Sequence, residues 1–164
     1  MQLDGSCHCG GVQFTLKSPH PHPFNLCYCS ICRKTSAGGG FAINLSGIHD
    51  SLEITGSENL RVYQATLPGA HESGPRLSPA MRHFCSLCGS HLWLWDPRWP
   101  ELVHPLASAI DTPLPAPPER THLLIDSKAS WVEVRADPQD RLHTGLPEES
   151  IEEWHVRLDL VDED

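Results

Sequence analysis

All seven cysteines of this 164-residue chain fall into three tight clusters: Cys7-His8-Cys9, Cys27-Tyr28-Cys29-Ser30-Ile31-Cys32 and Cys85-Ser86-Leu87-Cys88-Gly89. A structural zinc takes four thiolate or imidazole ligands in a tetrahedron, and two close pairs brought together by a β-fold supply them at little loop-closure cost. Cys85-Ser86-Leu87-Cys88-Gly89 has the form of a zinc knuckle, a turn in which two thiolates face one metal and the following glycine takes a positive φ. Cys7 and Cys9, followed by Gly10-Gly11, present their sulfurs from a second tight turn. The spacing therefore groups Cys7, Cys9, Cys85 and Cys88 around one zinc.

Cys27, Cys29 and Cys32 remain. They are close enough to bind one metal together and leave a fourth position for water or substrate, the formula of a catalytic zinc. Arg33 and Lys34, directly after Cys32, are candidates to hold those thiolates deprotonated. Other readings stay open. Cys85 and Cys88 could be a redox pair, although no thioredoxin-like βαβ pattern surrounds them. The three-cysteine cluster could be a second structural site completed by His8, His20 or His22, or a site holding little metal. The other histidines are scattered and receive no role. Trp93, Trp95 and Trp131 read as core or pocket wall.

Length bounds the rest: one domain with a real core, too short for two. A hydrophobic fraction of 39% supports a packed interior, whereas fifteen prolines and twelve glycines argue against long helices and for short strands and loops. Net charge is -9, with acids densest in Glu148, Glu149, Glu152, Glu153, Asp159, Asp162, Glu163 and Asp164, so nucleic acid is not an expected partner. No apolar run approaches the ~20 residues of a membrane span. Met1 to Gly11 is polar where a signal peptide would be apolar, so the expectation is a reducing, cytoplasmic setting, in which clustered cysteines favour metal over disulfides.

Along the chain, Val12, Phe14 and Leu16 alternate with polar residues as in a half-buried strand. Pro19-His20-Pro21-His22-Pro23 is a stiff linker. Phe41–Leu45, Leu52–Ile54, Leu60–Tyr63, His91–Trp95, Leu102–Ile110, His122–Ile125 and Trp131–Val134 read as further strands, with loops over Leu67–Pro79 and Pro113–Pro118. Residues 146–164 form an acidic extension to a domain over 1–145. Within it Ile151, Trp154, Leu158 and Val161 recur at spacings of three and four, the stripe of a short amphipathic helix.

Gly5-Ser6-Cys7-His8-Cys9-Gly10-Gly11-Val12, Cys27-Tyr28-Cys29-Ser30-Ile31-Cys32-Arg33-Lys34 and Arg82-His83-Phe84-Cys85-Ser86-Leu87-Cys88-Gly89-Ser90 together resemble the glutathione-dependent formaldehyde-activating enzyme family, which also contains centromere protein V. Asp111-Thr112-Pro113 and the His122 segment are also similar, so the resemblance covers roughly residues 3 to 135. It implies a mainly β fold of small antiparallel sheets held by zinc, with little helix. It further implies a structural zinc on Cys7, Cys9, Cys85 and Cys88, and a second zinc at Cys27, Cys29 and Cys32. The activity it implies is that of a zinc-dependent carbon-sulfur lyase acting on a small thiol adduct such as S-hydroxymethylglutathione, with glutathione the small-molecule partner. Two rivals stand beside it: a non-catalytic zinc module whose acidic tail or proline-rich loop binds a protein, and a redox or metal-buffering role for Cys27, Cys29 and Cys32.

Overall fold

Strand alternation around the first cysteine cluster sets the architecture. The computed structural model describes residues 1–36, 38–69 and 74–160. β1 (Gln2–Ser6) and β2 (Gln13–Lys17) form an antiparallel hairpin that turns Leu3, Phe14 and Leu16 into the core and its polar residues outward. β3 (Phe24–Cys27), β4 (Ala42–Asn44), β5 (Gly47–Ile48), β6 (Glu53–Thr55) and β7 (Leu60–Tyr63) follow as short strands. β8 (Met81–Cys85) and β9 (His91–Trp95) make a second hairpin, and β10 (Leu102–Pro105), β11 (Arg120–Leu123) and β12 (Arg141–Leu142) complete the set.

Three small sheets result, in the orders β1-β2-β6, β5-β10-β9-β8-β7 and β12-β11-β3-β4. The first two are antiparallel throughout. The third is mixed, because β11 runs parallel to both β3 and β12. The fold is mainly β, with two short α-helices among the described residues, α1 (Ser30–Thr35) and α2 (Ile151–Arg157). Among the described residues no helix is long and apolar enough to cross a membrane.

One buried cluster joins Leu3, Val12, Phe14 and Leu16 to Leu92, Trp93, Val103 and Leu106, and it includes the thiols of Cys7, Cys27, Cys32 and Cys85. The three cysteine segments are thus part of the interior against which the sheets pack. A second cluster lies on the other side of β3, with Leu26, Tyr28 and Val132 at its centre.

Several strand expectations change. The run Leu102–Ile110 is β10 followed by a 3-10 turn at Ala107–Ala109, since Pro105 has no N–H to extend the ladder. β11 begins at Arg120 and ends at Leu123 rather than running to Ile125, because Leu124 adopts a left-handed φ of 58°. Trp131–Val134 is not a strand: Val132 N–H closes a turn onto Ala129 O, Lys128 Nζ takes Val132 O, and Trp131 is exposed. The loop over Leu67–Pro79 is pinned at its base, where Thr66 bridges Leu77 and Leu67 N–H donates to Arg76 O at 2.8 Å; residues 70–73 of that stretch lie outside the described residues.

α2 starts at a capping box, in which Ser150 Oγ accepts from Glu153 N–H and Glu153 Oε2 accepts from Ser150 N–H. Of the apolar stripe, Trp154 is buried and donates Nε1–H to Glu119 at 2.9 Å, while Val161 lies outside the described residues. Arg157 pairs with Glu119 and Glu149, and Arg141 also faces Glu119. On the other side, His155 Nε2 meets His22 O at 3.0 Å and the His155 and His20 rings lie 5.3 Å apart. Burial, then the charges of neighbouring histidines, hold His22 below the usual histidine range. Burial also lowers His155.

The docked helix therefore binds fewer protons than the undocked one below about pH 6.5, and its stability is full above that pH and falls as pH drops through it. Glu119 does not contribute in that window: burial raises its pKa, but Arg157 outweighs this and keeps it below the carboxylate range. Amide hydrogen exchange should show protection across Ile151–Arg157 falling severalfold between pH 7.5 and 5.5. Flat protection, corrected for intrinsic exchange rates, would exclude the histidines as the cause.

Candidate metal centres

The two hairpins present their cysteines in the same way. At the end of β1, Gly10 N–H donates to Cys7 O, and Cys7 N–H donates to Val12 O; at the end of β8, Gly89 N–H donates to Cys85 O, and Cys85 N–H donates to Ser90 O. Gly10 and Gly89 have φ of 74° and 75°, a conformation in which any other residue would be strained, so the glycine after each pair is what lets the turn close. His8 N–H reaches Ser90 Oγ at 3.2 Å and ties one turn to the other.

The result is a four-sulfur cluster of Cys7, Cys9, Cys85 and Cys88, with all Sγ atoms within 4.8 Å of one another. Cys7 to Cys9 is 3.5 Å and Cys9 to Cys85 is 3.8 Å. A tetrahedral zinc with bonds of about 2.3 Å has S···S edges of roughly 3.8 Å, so the spacing fits that ion. The thiols also divide electrostatically. Ser90 O–H and N–H pull Cys88 down to about 5, whereas Cys9, lowered by Gly11 N–H but opposed by Cys7 and Cys88, is pushed up to about 12. Four sulfurs this close cannot all ionise without a cation among them.

Cys27, Cys29 and Cys32 form a separate cluster within the same distance limit. β3 delivers Cys27, opposite Ala42 of β4, and α1 delivers the rest. Cys29 is the N-cap of α1: its Sγ accepts Cys32 N–H at 3.3 Å. Hydrogen bonds with Cys27 and Cys32 hold Cys29 far below the usual thiol range, and the same contacts push Cys27 far above it. Three sulfurs this close favour ionisation of one and oppose ionisation of the others. Among the described residues no histidine or carboxylate joins the three within that distance. His20 and His22 sit against α2, and His8 is exposed beside Ser90, so none of the three completes this cluster.

Comparison with known proteins identifies the family. The family model described as glutathione-dependent formaldehyde-activating enzyme matches residues 2–126. A Halomonas elongata protein named "Putative glutathione-dependent formaldehyde-activating enzyme" is 59% identical over 160 residues, 98% of this chain and 98% of that protein. The chain belongs to this family. A crystal structure of a Rhodobacter sphaeroides protein matches at 25% identity and a TM-score of 0.48, over 70% of this chain and 92% of that one.

In this family member the three-cysteine cluster has neighbours that spacing did not reveal. Arg82 of β8 is buried. Its Nη1 makes a single contact to Ala80 O at 3.4 Å, and its Nε is buried without a partner among the described residues. A buried guanidinium requires an anion; the contact with Cys27 and, more weakly, the Arg82 charge pull Cys32 down, but Cys29 and burial outweigh them and leave it raised to about 11. Arg33 and Lys34 lie in the last turn of α1, where positive charge suits the helix dipole. His91 Nδ1 meets Ser36 Oγ at 3.0 Å, just past α1, and burial holds His91 down to about 4, in the neutral form.

Proposed function

We propose that this chain binds two zinc ions, one closed on Cys7, Cys9, Cys85 and Cys88 and one open on Cys27, Cys29 and Cys32, and that the open site catalyses carbon-sulfur bond formation or cleavage in S-hydroxymethylglutathione. The observation that carries this reading is the three-sulfur cluster with no fourth protein ligand among the described residues, in a chain of this family. In the forward direction the thiol sulfur bonds to the formaldehyde carbon, the carbonyl π bond opens, and the thiol proton ends on the oxygen; cleavage reverses each change. Bound zinc supplies Lewis acidity and stabilises a thiolate at neutral pH.

The chain's own residues do the rest. Cys27, Cys29 and Cys32 converge from the end of β3 and the start of α1, with Cys29 the least buried of the three. Arg82 supplies the positive charge that offsets three thiolates on a divalent ion. A cavity of about 150 Å³ lies just past α1, lined by Ser36, Phe41, Ala42 and Leu106 among others but by none of the three cysteines, and it is too small to enclose glutathione. A larger one of about 500 Å³ carries Asp4, Glu53 and Asp111, which would repel glutathione carboxylates. A reducing compartment such as the cytoplasm suits seven free thiols.

Elemental analysis of protein purified without chelator, combined with NMR exchange spectroscopy of glutathione and labelled formaldehyde, tests this. Two zincs per chain and exchange faster than the uncatalysed reaction are expected. One zinc, three titratable thiols and no acceleration would instead indicate a structural module.

A further inference from the structure

Tyr28 lies between two of the three clustered cysteines, yet its side chain goes the other way. Cys27, Cys29 and Cys32 belong to the main core, whereas Tyr28 lies in the second hydrophobic cluster, with Phe41 at 5.3 Å between ring centroids. This is the alternation of an extended chain: if Cys27 and Cys29 face one side, Tyr28 faces the opposite one. Whatever fixes Tyr28 therefore fixes the directions of the sulfurs on either side of it.

Two contacts with β11 do so. Tyr28 N–H donates to Leu123 O at 3.1 Å, and Tyr28 Oη lies 2.8 Å from His122 Nδ1. The parallel register between β3 and β11, with Leu26 beside His122 and Cys27 beside Leu123, places that imidazole at the end of β3. His122 Nε2 faces Asp140 Oδ2 at 3.4 Å, and Asp140 in turn accepts Arg120 N–H at 2.8 Å and Asp137 N–H at 2.9 Å. All three side chains are buried: Tyr28 is 1% exposed, His122 0% and Asp140 8%. An ionised Asp140 only accepts, so His122 Nε2–H donates to it, and Nδ1 pairs with Tyr28 Oη.

Burying three polar side chains in an apolar cluster is costly unless each is satisfied, and a packed apolar residue at 28 would suffice for stability alone. We propose that Asp140, His122 and Tyr28 form a buried hydrogen-bonded relay that sets the directions of Cys27 and Cys29 and so preorganises the three-cysteine metal site. They are positioning residues, since none touches the reacting atoms. The proposal rests on the reading of that cluster as a zinc site. Groups that hydrogen-bond to metal ligands alter affinity by about 10–100-fold when removed, and the relay acts one step further back, through the backbone of residue 28.

The test uses the zinc-loaded full chain and a colorimetric chelator that reports release from each site. Tyr28→Phe removes one oxygen and keeps the ring. It is expected to speed zinc release from the three-cysteine site by about tenfold or more while release from the four-cysteine site stays at the wild-type rate. His122→Phe should behave likewise. His122→Gln, which offers both an acceptor and an N–H donor, should restore slow release. Equal acceleration at both sites would mean a general loosening and overturn the relay, as would wild-type release from Tyr28→Phe or failure of the glutamine to rescue. Wild-type protein carrying one zinc would overturn the zinc reading itself, and the relay with it.

Discussion

Cys88→Ser and Cys85→Ser are each expected to abolish the cooperative thermal transition. The four-cysteine cluster is the junction between the β1–β2 and β8–β9 hairpins, the two that carry most of the core. Structural zinc contributes roughly 10–16 kcal/mol to folding in small zinc domains, as much as or more than the about 5–15 kcal/mol of net stability of an ordinary domain. Losing one of four thiolates removes most of that.

Two substitutions are needed because the positions differ. Cys85 is fully buried, so a serine there adds the cost of a hydroxyl in the core, whereas Cys88 is exposed and its replacement reports metal loss alone. Calorimetry with zinc counting checks both. A Cys88→Ser protein that keeps a sharp transition within a few degrees of wild type would show that packing, and not metal, joins the hairpins.

That junction was legible in the sequence because its chemistry is local. Each pair sits in a turn of a few residues closed by a glycine with positive φ, and each turn leads into a strand with a plain apolar pattern, β2 or β9. The same locality made β9 and β7 readable to the residue. β1 was missed because its inward positions are Leu3 and Gly5, and a glycine leaves no apolar mark. α1 was missed because six residues with β-branched Ile31 and Thr35, and no acid in the first turn, give no helical signature; its cap is a cysteine, which a metal reading had already claimed.

What lay furthest from reach was non-local. The β3–β11 pairing joins residues almost a hundred positions apart and runs parallel, as among the described residues only β11–β12 also does. It alone brings His122 to Tyr28. Arg82 was visible as part of a motif, but its burial depends on how β8 lies across the core. Conversely, Trp131–Val134 had the composition of a strand and no partner to pair with, since strand propensity expresses a half-buried environment more than a backbone preference.

Cys29→Ser should separate metal loss from folding more cleanly than any other substitution. Cys29 Sγ already serves as the N-cap of α1, accepting Cys32 N–H at 3.3 Å, and serine is among the best N-cap residues. The helix should therefore persist, and the four-cysteine site, built from other hairpins, should keep its zinc. The open site, reduced to two thiolates, should lose its own. Lewis-acid stabilisation is worth several kcal/mol and each 1.4 kcal/mol is about tenfold in rate, so catalysed exchange between glutathione and S-hydroxymethylglutathione should fall on the order of 10³-fold, to the uncatalysed level. Cys32→Ser would be the weaker experiment, because Cys32 is buried in the core and its loss mixes packing with ligation. A folded Cys29→Ser protein with one zinc and no acceleration assigns the chemistry to the open site. The same protein with wild-type acceleration would place the chemistry elsewhere and leave Cys27, Cys29 and Cys32 a structural role.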